Sequence, residues 1–379
     1  MISFTKRGGI VFVLIKVEIL YDGRRGISMI KATWPRETPR NILVRMPNWL
    51  GDLVMATPVL HDLRKHYPGA AITAMCQSNV AGMLKCDPNV NEVYSYTKPS
   101  GWIRRSNPPE IIENLKRGQY DLGLLLTNSF SSAWWFWRGD IAHTIGFNTN
   151  LRGLLLDRPV PLPLHVRTQH LVLTYKALLE PLGIRQSTTA PQLYVSPSET
   201  LEAKKRLAND GIAIERDNII GINPGAAFGS AKCWLPDRFR SVTEHLLKDP
   251  RNVILYFGDP AGTPLVNEIC RGLGPRVINL AGKTSLRELL AMIQLCHVLL
   301  TNDSGPMHIG SALGTPLVAL FGSTNDIRTG PYNGGVIIHK HVACSPCYYR
   351  TCPIDFRCMK RIEVDEVYNA IVKQLALRK

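Results

Sequence analysis

Residues 41–66 read NILVRMPNWLGDLVMATPVLHDLRKH. The first six residues are a short apolar run typical of a buried parallel strand, and the pattern from residue 53 onward is that of a helix. A turn that contains glycine separates the two. The stretch therefore predicts a β-loop-α unit, the building block of an open parallel sheet.

Similar units recur along the chain in two series. Residues 71–76 and 120–127 predict further strands of the first series. Prolines interrupt the pattern at 158–165, and helical patterns at 236–247 and 285–296 separate strands of the second series. Those strands are predicted at 219–222, 253–256, 277–280, 298–301 and 317–321. The alternation predicts an α/β protein with two Rossmann-like domains, each a doubly wound parallel sheet.

The length of 379 residues also suits two domains of ordinary size. We place the first domain at 39–188 and the second at 189–379, with a final helix at 364–377 that could pack on either domain. Residues 1–38 are expected to form a poorly structured extension, with Met29 as an alternative start.

An apolar stretch at 9–20 lies within this extension. It is too short to cross a bilayer, which needs about 20 apolar residues, and Lys16 and Glu18 interrupt it. No Ala-x-Ala-like cleavage pattern follows it, so a signal peptide is not expected. These features predict a cytoplasmic protein that can associate with the inner membrane surface.

The chain is strongly basic, with a formal net charge of +15. Such a charge favours an anionic partner: a nucleic acid, an acidic membrane surface or a phosphorylated substrate. The sequence has no RNP, zinc-finger or helix-turn-helix signature, and its basic residues are scattered along the chain. A nucleic acid partner is therefore not expected.

Ligands of open α/β sheets bind beyond the carboxyl ends of the strands, and four loops at such ends are candidate sites. In the first, residues 47–52 (PNWLGD), Gly51 permits close approach of the backbone to a ligand, and Asp52 lies at a helix start. Asp52 could instead be a simple N-cap, the commonest role of aspartate at such a position.

The second loop, residues 223–234 (NPGAAFGSAKCW), offers backbone amides and the charge of Lys232 to a phosphate. The alternative is a surface loop with a solvated lysine.

The third loop, residues 301–308 (TNDSGPMH), follows an apolar strand and starts a helix. Free N–H groups and the positive end of the helix dipole suit a pyrophosphate there. The alternative is that Asp303 or Ser304 caps the helix and His308 packs in the core. The fourth loop, residues 321–326 (FGSTND), could line the same site with hydroxyl and amide groups.

Several other nucleotide-binding classes are not supported. Residues 282–284 (GKT) lack the first glycine of a P-loop, because Val277 stands in its place. No G-x-G-x-x-G pattern follows the first strand of either domain, which argues against a dinucleotide-dependent dehydrogenase. No Asp-x-Asp pattern is present to hold a divalent ion.

Four segments in order closely resemble glycosyltransferase family 9, the heptosyltransferases. They are NWLGDLVMATPVLHDLR (48–64), NPGAAFGSAKCWLPDRF (223–239), LAGKTSLREL (280–289) and TNDSGPMHIGSALGTPLVALFG (301–322). The likeness runs from about residue 41 to the C-terminus. It implies a GT-B fold with two domains facing a cleft, and an inverting transferase that needs no cofactor. It also implies ADP-L-glycero-D-manno-heptose as donor and the heptosylated Kdo–lipid A inner core of lipopolysaccharide as acceptor.

The resemblance assigns roles by matched position. Asp52 would be the catalytic base and Lys232 would bind the diphosphate. Around the donor the resemblance places Gly225, Asp303, Ser304, Gly305 and His308, and near its adenosine Thr284, Ser285 and Leu286. Around the acceptor we place Asn48, Gly51, Asn128 and Ser129.

The acceptor implied by the resemblance is anionic, and the positive charge of the chain would attract it. The candidate arginines of the first domain are Arg104, Arg105, Arg138, Arg152 and Arg158, each of which could also be an ordinary solvated residue. Trp134, Trp135 and Trp137 are expected to pack in the domain, with sugar stacking or lipid contact as alternatives.

Two features depart from the family pattern: the N-terminal extension, and the absence of hydroxyl side chains at 226–228 (AAF), where some relatives place them near the donor phosphates. A family member with another donor or acceptor, and a nucleotide-binding envelope protein without catalysis, therefore remain alternatives.

Four of the nine cysteines lie close together, at Cys344, Cys347, Cys352 and Cys358. In a cytoplasmic protein disulfides are not expected. Reduced structural thiols are the first interpretation and a metal site is the second, because only the first spacing matches common zinc motifs. The other cysteines are expected to be core or incidental residues.

Overall fold

The computed structural model describes residues 2–7, 10–15, 37–99, 101, 107–166 and 168–377. Its contacts divide the chain into two units, Met1–Glu37 and Thr38–Lys379. In the first unit, β1 (Ile2–Arg7) and β2 (Ile10–Ile15) pair antiparallel. The prediction that residues 1–38 form a poorly structured extension stays a prediction, because the structure describes only these two strands and residues 37 and 38 of that range. Met29 lies outside the described residues.

The second unit holds two parallel sheets of six strands each. The strands of the first sheet are β3 (Asn41–Arg45), β4 (Ala71–Gln77), β5 (Glu92–Tyr96), β6 (Leu122–Leu125), β7 (His143–Phe147) and β8 (Arg158–Val160). The strands of the second are β9 (Asn218–Asn223), β10 (Asn252–Tyr256), β11 (Val277–Asn279), β12 (Val298–Asn302), β13 (Leu317–Phe321) and β14 (Val336–His339).

The helices complete the alternation. In chain order they are α1 (Leu50–His66), α2 (Ser78–Ala81), α3 (Pro109–Arg117), α4 (Phe130–Arg138), α5 (Leu171–Lys176), α6 (Pro197–Asn209), α7 (Pro236–Leu246), α8 (Thr263–Cys270), α9 (Leu286–Leu295), α10 (Gly305–Leu313), α11 (Asp326–Thr329), α12 (Arg357–Lys360) and α13 (Val364–Ala376). In the part of the chain that the structure describes, no helix combines the length and the apolarity needed to span a membrane.

The strand orders are β5-β4-β3-β6-β7-β8 and β11-β10-β9-β12-β13-β14. Each sheet therefore grows outward in both directions from its first strand, which confirms the predicted doubly wound α/β class. The central strands β3, β9, β12 and β13 are buried, as their apolar sequences require. The predicted boundary at 188 and 189 falls in the segment between β8 and β9 and stays a prediction.

The final helix, α13, packs on the second sheet. Its residues Val367 and Ile371 are fully buried in one core cluster with Ile220 of β9 and Leu300 of β12. The sequence left the choice between the two domains open. The structure shows that this helix completes the core of the domain to which it belongs by sequence.

The two domains meet through α1 and α10, the helices that follow β3 and β12. A Cβ atom on Gly305 would lie 2.7 Å from Leu50 Cδ2, and one on Gly51 would lie 2.6 Å from His308 Cδ2. Glycine at both positions therefore lets the two helix starts touch. As a result, the carboxyl ends of β3 and β12 face each other.

The close packing of the second sheet predicts the effect of filling Gly221 of β9. A Cβ atom there would lie 2.9 Å from both Cys296 Sγ and Phe257 Cε2. We expect Gly221→Ala to lower the free energy of unfolding by about 1–3 kcal/mol through overpacking. Chemical denaturation measures it.

The matched control is Gly69→Ala, at an exposed glycine with no atom within 4 Å of the new Cβ. We expect it to leave stability unchanged or to raise it by up to about 1 kcal/mol. Equal losses in the two variants would contradict the close packing of β9.

Candidate active site

The loops after β9, β12 and β13 lie side by side, because β12 stands between the other two strands in the second sheet. In the first sheet, β3 lies at the point where the strand order reverses, which is where such sheets bind ligands. Since α1 and α10 are in contact, the loop after β3 faces the loop after β12. The structure thus brings the sequence-predicted loops of the two domains together.

Asp52 lies in the first turn of α1 and faces this junction. The N-cap position belongs to Trp49, so the interpretation of Asp52 as an N-cap is wrong. Within the described residues the Asp52 carboxylate makes no hydrogen bond or ion pair. Burial raises the pKa of Asp52 to about 6, while the charges of Lys232 and Arg328 act to lower it. The carboxylate is therefore ionised at neutral pH and free to accept a proton.

Lys232 joins three loops of the second domain. Its Nζ atom lies 2.6 Å from Asp303 Oδ2, and Thr324 Oγ1 donates a hydrogen bond of 2.6 Å to the same oxygen. Asp303 is only 3% exposed. The ammonium group also lies 5.0 Å from the ring centre of Phe228. The second, third and fourth loops are thereby held around one cation.

The start of α10 is open to an anion. Ser304 occupies the N-cap position, but its side chain makes no capping hydrogen bond. Its Oγ atom instead lies 3.0 Å from Thr301 Oγ1 and accepts a hydrogen bond of 3.2 Å from Asn223 Nδ2. The interpretation of Ser304 as a side-chain cap is therefore wrong. Asp303, which pairs with Lys232, directly precedes Ser304, so the positive end of this helix dipole lies close to the Lys232 cation.

Two asparagines hold the loop after β9 in place, and the sequence analysis missed both. Asn302 Nδ2 donates to Pro224 O at 2.7 Å, and Asn302 Oδ1 accepts from the Trp234 N–H at 3.0 Å. Asn223 Nδ2 donates to Gly225 O at 2.9 Å. The sequence did contain a signal for both residues, because each asparagine is the last residue of a strongly apolar strand. Their bonds keep the backbone of this loop, which has no hydroxyl side chain at 226–228, fixed beside Lys232.

His308 is buried against Gly51 across the domain junction. Burial lowers the pKa of His308 to about 4, so its ring is neutral at pH 7. The close approach that the sequence predicted at Gly51 is therefore filled by this ring. The contact agrees with the alternative interpretation of His308, in which the ring packs against neighbouring residues.

The structure adds residues near Asp52 that the sequence analysis did not identify. The charge of Arg328, in α11, acts on the Asp52 carboxylate. Tyr175 is buried nearby, and burial raises its pKa well above the usual range, with Asp52 adding to the shift. His170 Nε2 lies 2.9 Å from Gly330 O of the second domain. These residues come from segments far apart in sequence, so spacing gave no signal for them.

In a comparison with known families, the model of glycosyltransferase family 9 (heptosyltransferase) matches residues 110–356. The chain belongs to glycosyltransferase family 9. The lipopolysaccharide heptosyltransferase 2 of Escherichia coli (strain K12) is 32% identical over 301 residues, which cover 76% of this chain and 85% of that protein. The lipooligosaccharide heptosyltransferase 2 of Haemophilus influenzae is 30% identical over 299 residues, with 77% and 86% covered.

A solved structure shows the same likeness. The E. coli ADP-heptose lps heptosyltransferase II is 27% identical and has a TM-score of 0.75, with 89% of this chain and 99% of that chain covered. The chain is thus a glycosyltransferase with the GT-B fold, as the resemblance implied.

In this family 9 chain, the positions assigned to adenosine lie at the start of α9, in the loop after β11. Ser285 caps α9 by accepting a hydrogen bond from the Glu288 N–H, and Glu288 bonds back to the Ser285 N–H. The backbone start of α9 is therefore fixed, and the Ser285 hydroxyl is engaged by its own helix. Thr284 and Leu286 are half-buried. Their contact with adenosine stays a prediction.

The acceptor-side positions of the family 9 chain lie at the carboxyl ends of β3 and β6. Asn48 is exposed and accepts a hydrogen bond of 2.6 Å from Arg45. Asn128 is exposed and lies 3.2 Å from Arg152. Ser129 caps α4 by accepting from the Ser132 N–H. Their neighbourhood in the sheet supports a common surface, and their acceptor role stays a prediction.

The candidate arginines differ in exposure. Arg152 is fully buried and donates to Phe147 O at 2.8 Å, and burial lowers its pKa to about 10. It therefore holds the first domain together and cannot reach an acceptor. Arg138 and Arg158 are exposed. The remaining candidates, Arg104 and Arg105, lie outside the described residues.

The tryptophans of α4 separate into core and surface residues. Trp135 is buried edge-on against Tyr96, at 5.7 Å between ring centres. Trp134 is half-buried and lies 4.9 Å from Trp137, which is 41% exposed. Phe130 stacks on the other side of Trp134. Packing is thus the role of Trp135, and an aromatic surface remains beside it.

The unpaired Asp52 carboxylate predicts an unusual effect on stability. Its folded-state pKa of about 6 lies above the value of about 3.9 of a free aspartate. The ionised group therefore costs stability above pH 6, and the cost disappears as the pH falls below about 4. We expect Asp52→Asn to raise the free energy of unfolding by about 1–2 kcal/mol at pH 8 and by much less at pH 4, as measured by urea denaturation.

Asp62, in the same helix, is the matched control. Its carboxylate accepts hydrogen bonds from Ser187 Oγ at 2.7 Å and from Thr189 Oγ1 at 2.8 Å. Asp62→Asn should lower stability by about 1–3 kcal/mol, because the amide carries no charge and its single oxygen can accept only one of the two hydroxyl bonds in the present geometry. A loss of stability at pH 8 in Asp52→Asn as well would show that Asp52 has partners in the folded protein.

Proposed function

We propose that the protein transfers L-glycero-D-manno-heptose from ADP-heptose to the heptosylated Kdo–lipid A inner core of lipopolysaccharide. Membership of family 9 and likeness to heptosyltransferase 2 proteins support this proposal. The solved relative is an ADP-heptose lps heptosyltransferase II. The observation that carries the proposal is the unpaired Asp52 carboxylate facing Lys232 and the open start of α10.

In the proposed reaction, an acceptor hydroxyl attacks the anomeric carbon of the heptose. The bond between this carbon and the hydroxyl oxygen forms as the bond to the diphosphate oxygen breaks, with inversion. Asp52 takes the hydroxyl proton, and ADP leaves with the electron pair of the broken bond. Lys232, the N–H of Gly305 and the positive end of the α10 dipole stabilise the negative charge that develops on the diphosphate.

No cofactor is needed in this scheme. Asp303, the carboxylate closest to Lys232, is already bonded to Lys232 and Thr324 and is buried. A diphosphate entering the site would compete with Asp303 for the ammonium group of Lys232. Lys232 would thus pair with Asp303 in the free enzyme and with the diphosphate in the donor complex. Backbone amides of the hydroxyl-free loop at 226–228 complete the donor contacts in this proposal.

The acceptor is a phosphorylated, carboxylate-rich lipid, and the chain has a formal net charge of +15. An anionic membrane surface attracts such a protein, at about 1 kcal/mol for each basic residue near the surface. We place the protein at the cytoplasmic face of the inner membrane as a peripheral enzyme, with no nucleic acid partner. Arg138 and Arg158 remain the described candidates for acceptor phosphates.

The experiment is incubation of the purified protein with ADP-heptose and a truncated heptosyl-Kdo–lipid A, followed by mass spectrometry of the lipid. We expect the mass of one added heptose with the wild type and no product with Asp52→Asn, which still binds ADP. ADP binding without transfer to this acceptor would contradict the proposed acceptor or sugar. Equal rates in wild type and Asp52→Asn would contradict the base.

The rate of transfer should depend on the protonation of Asp52. With a pKa of about 6, kcat/KM should fall about tenfold per pH unit below pH 6 and level off above it.

Arg328→Gln removes a charge that lowers the pKa of Asp52, so the acid limb of the pH profile should move to higher pH. Arg251→Gln is the control, because Arg251 is exposed beside Asp249 and directly precedes β10, at the end of that strand opposite the carboxyl ends that carry the site. An acid limb that is unmoved in Arg328→Gln contradicts the assignment.

A further inference from the structure

The four cysteines of the C-terminal segment line one cavity. Cys344, Cys347, Cys352 and Cys358 come from a stretch of fifteen residues and surround a space of about 40 Å³. None of them forms a disulfide. A cavity of this size and lining is unusual for thiols that only fill a core, because structural cysteines are normally among the most buried residues.

Exposure separates this cluster from the core cysteines of the chain. Cys76 and Cys296 are buried, as expected of thiols that pack as small apolar groups. In the cluster, Cys358 is buried but Cys344 is exposed. Cys347 and Cys352 are half-buried. The cluster therefore lies at the surface, where a metal can reach it.

The lining of the cavity suits a cation held by sulfur. Four of the ten residues that line it are cysteines, and Arg357 also lines it. Cysteine binds metal ions as the thiolate, and a nearby positive charge favours that form.

We propose that Cys344, Cys347, Cys352 and Cys358 bind a metal centre through four thiolates, with Zn²⁺ or iron as the metal. Soft thiolate ligands select these metals, and four protein ligands leave no open position. The centre is therefore structural. Only the spacing of Cys344 and Cys347 matches the common zinc motifs, so it is the fold of the segment that brings the other two sulfurs to the cavity.

No three of the four sulfurs lie within 4.8 Å of one another. Within the described residues, the group whose ligand atoms all lie within 4.8 Å of one another is Asp326, His339 and His341, and not a set of these cysteines. A centre held by the cysteines is therefore either wide, as an iron–sulfur cluster is, or draws the exposed Cys344 inward. The identity of the bound metal distinguishes these two forms.

The segment that carries the cysteines supports the donor loops. The Cys347 N–H donates to Ser323 O at 3.1 Å, and the Ala231 N–H donates to Arg350 O at 3.0 Å. Ser323 and Ala231 directly precede the two residues that bind Asp303, namely Thr324 and Lys232. A metal that orders this segment thereby holds Lys232 in position for the diphosphate.

The first test is the metal content of the full-length protein, purified anaerobically under reducing conditions. We expect zinc or iron in stoichiometric amount by inductively coupled plasma mass spectrometry. Cys352→Ser should lose it. Cys270→Ser, at a half-buried cysteine outside the cluster, should keep it, and so should His341→Ala, which removes the other candidate group. Wild type without metal, or Cys352→Ser with its full metal content, would overturn the proposal.

A second measurement does not depend on the folding of a variant. If the bound metal is zinc, wild-type protein is stripped with a chelator and reconstituted with Co²⁺, which should give the intense thiolate-to-cobalt absorption of a tetrahedral four-sulfur site. If the bound metal is iron, the protein as isolated under anaerobic conditions should show thiolate-to-iron charge-transfer absorption in the visible range. Folded protein that shows neither absorption contradicts the site. Peptide mapping of the freshly isolated protein that finds these cysteines paired as disulfides also contradicts it.

The supporting role is tested by calorimetric titration with ADP, and this part rests on the proposed donor site. Chelated, folded protein should bind ADP several-fold more weakly than the metal-loaded protein, and metal should restore the affinity. Equal affinities contradict the supporting role. Failure of the metal-loaded protein to bind ADP instead contradicts the proposed function, so the two results are distinguishable.

Discussion

The contact between the starts of α1 and α10 is the constraint on which the site depends. Each helix begins at the carboxyl end of a central strand, and glycines at 51 and 305 let the two starts touch. A neutral His308 fits in this contact because burial lowers its pKa to about 4. A charged ring there would oppose Lys232 and change the field at Asp52. The packing of two glycines thus sets both the geometry and the electrostatics of the cleft.

Charge is divided unequally across this contact. Among the residues that the structure describes, Asp52 of the first domain has no hydrogen-bond or ion-pair partner, whereas Lys232 of the second domain is already paired with Asp303. Arg328 donates to Val166 O at 2.9 Å and so ties the second domain to the first beside Asp52. Burial raises the pKa of Asp52 to about 6. Lys232 and Arg328 limit this rise, so the carboxylate is ionised at neutral pH. Such tuning is what proton transfer from an alcohol requires.

The sequence predicted most of the central strands, because apolar runs are local signals, and the resemblance to family 9 placed Asp52, Lys232 and Asp303 around one site. It missed the buried strand β7 and the edge strands β5, β8 and β14. The three edge strands are only partly buried or interrupted by proline. It also missed Arg328 and Tyr175, whose approach to Asp52 is set by packing between distant segments. Arg152 was assigned to the surface, since a charged residue gives no sign in sequence of being buried.

A crystal structure of the protein with ADP tests the central claim most directly. The account predicts the diphosphate at Lys232 Nζ and the N–H of Gly305, with Asp52 across the contact of the two helices and the adenosine toward the start of α9. ADP bound elsewhere, or a diphosphate held by residues of the first domain alone, would contradict it.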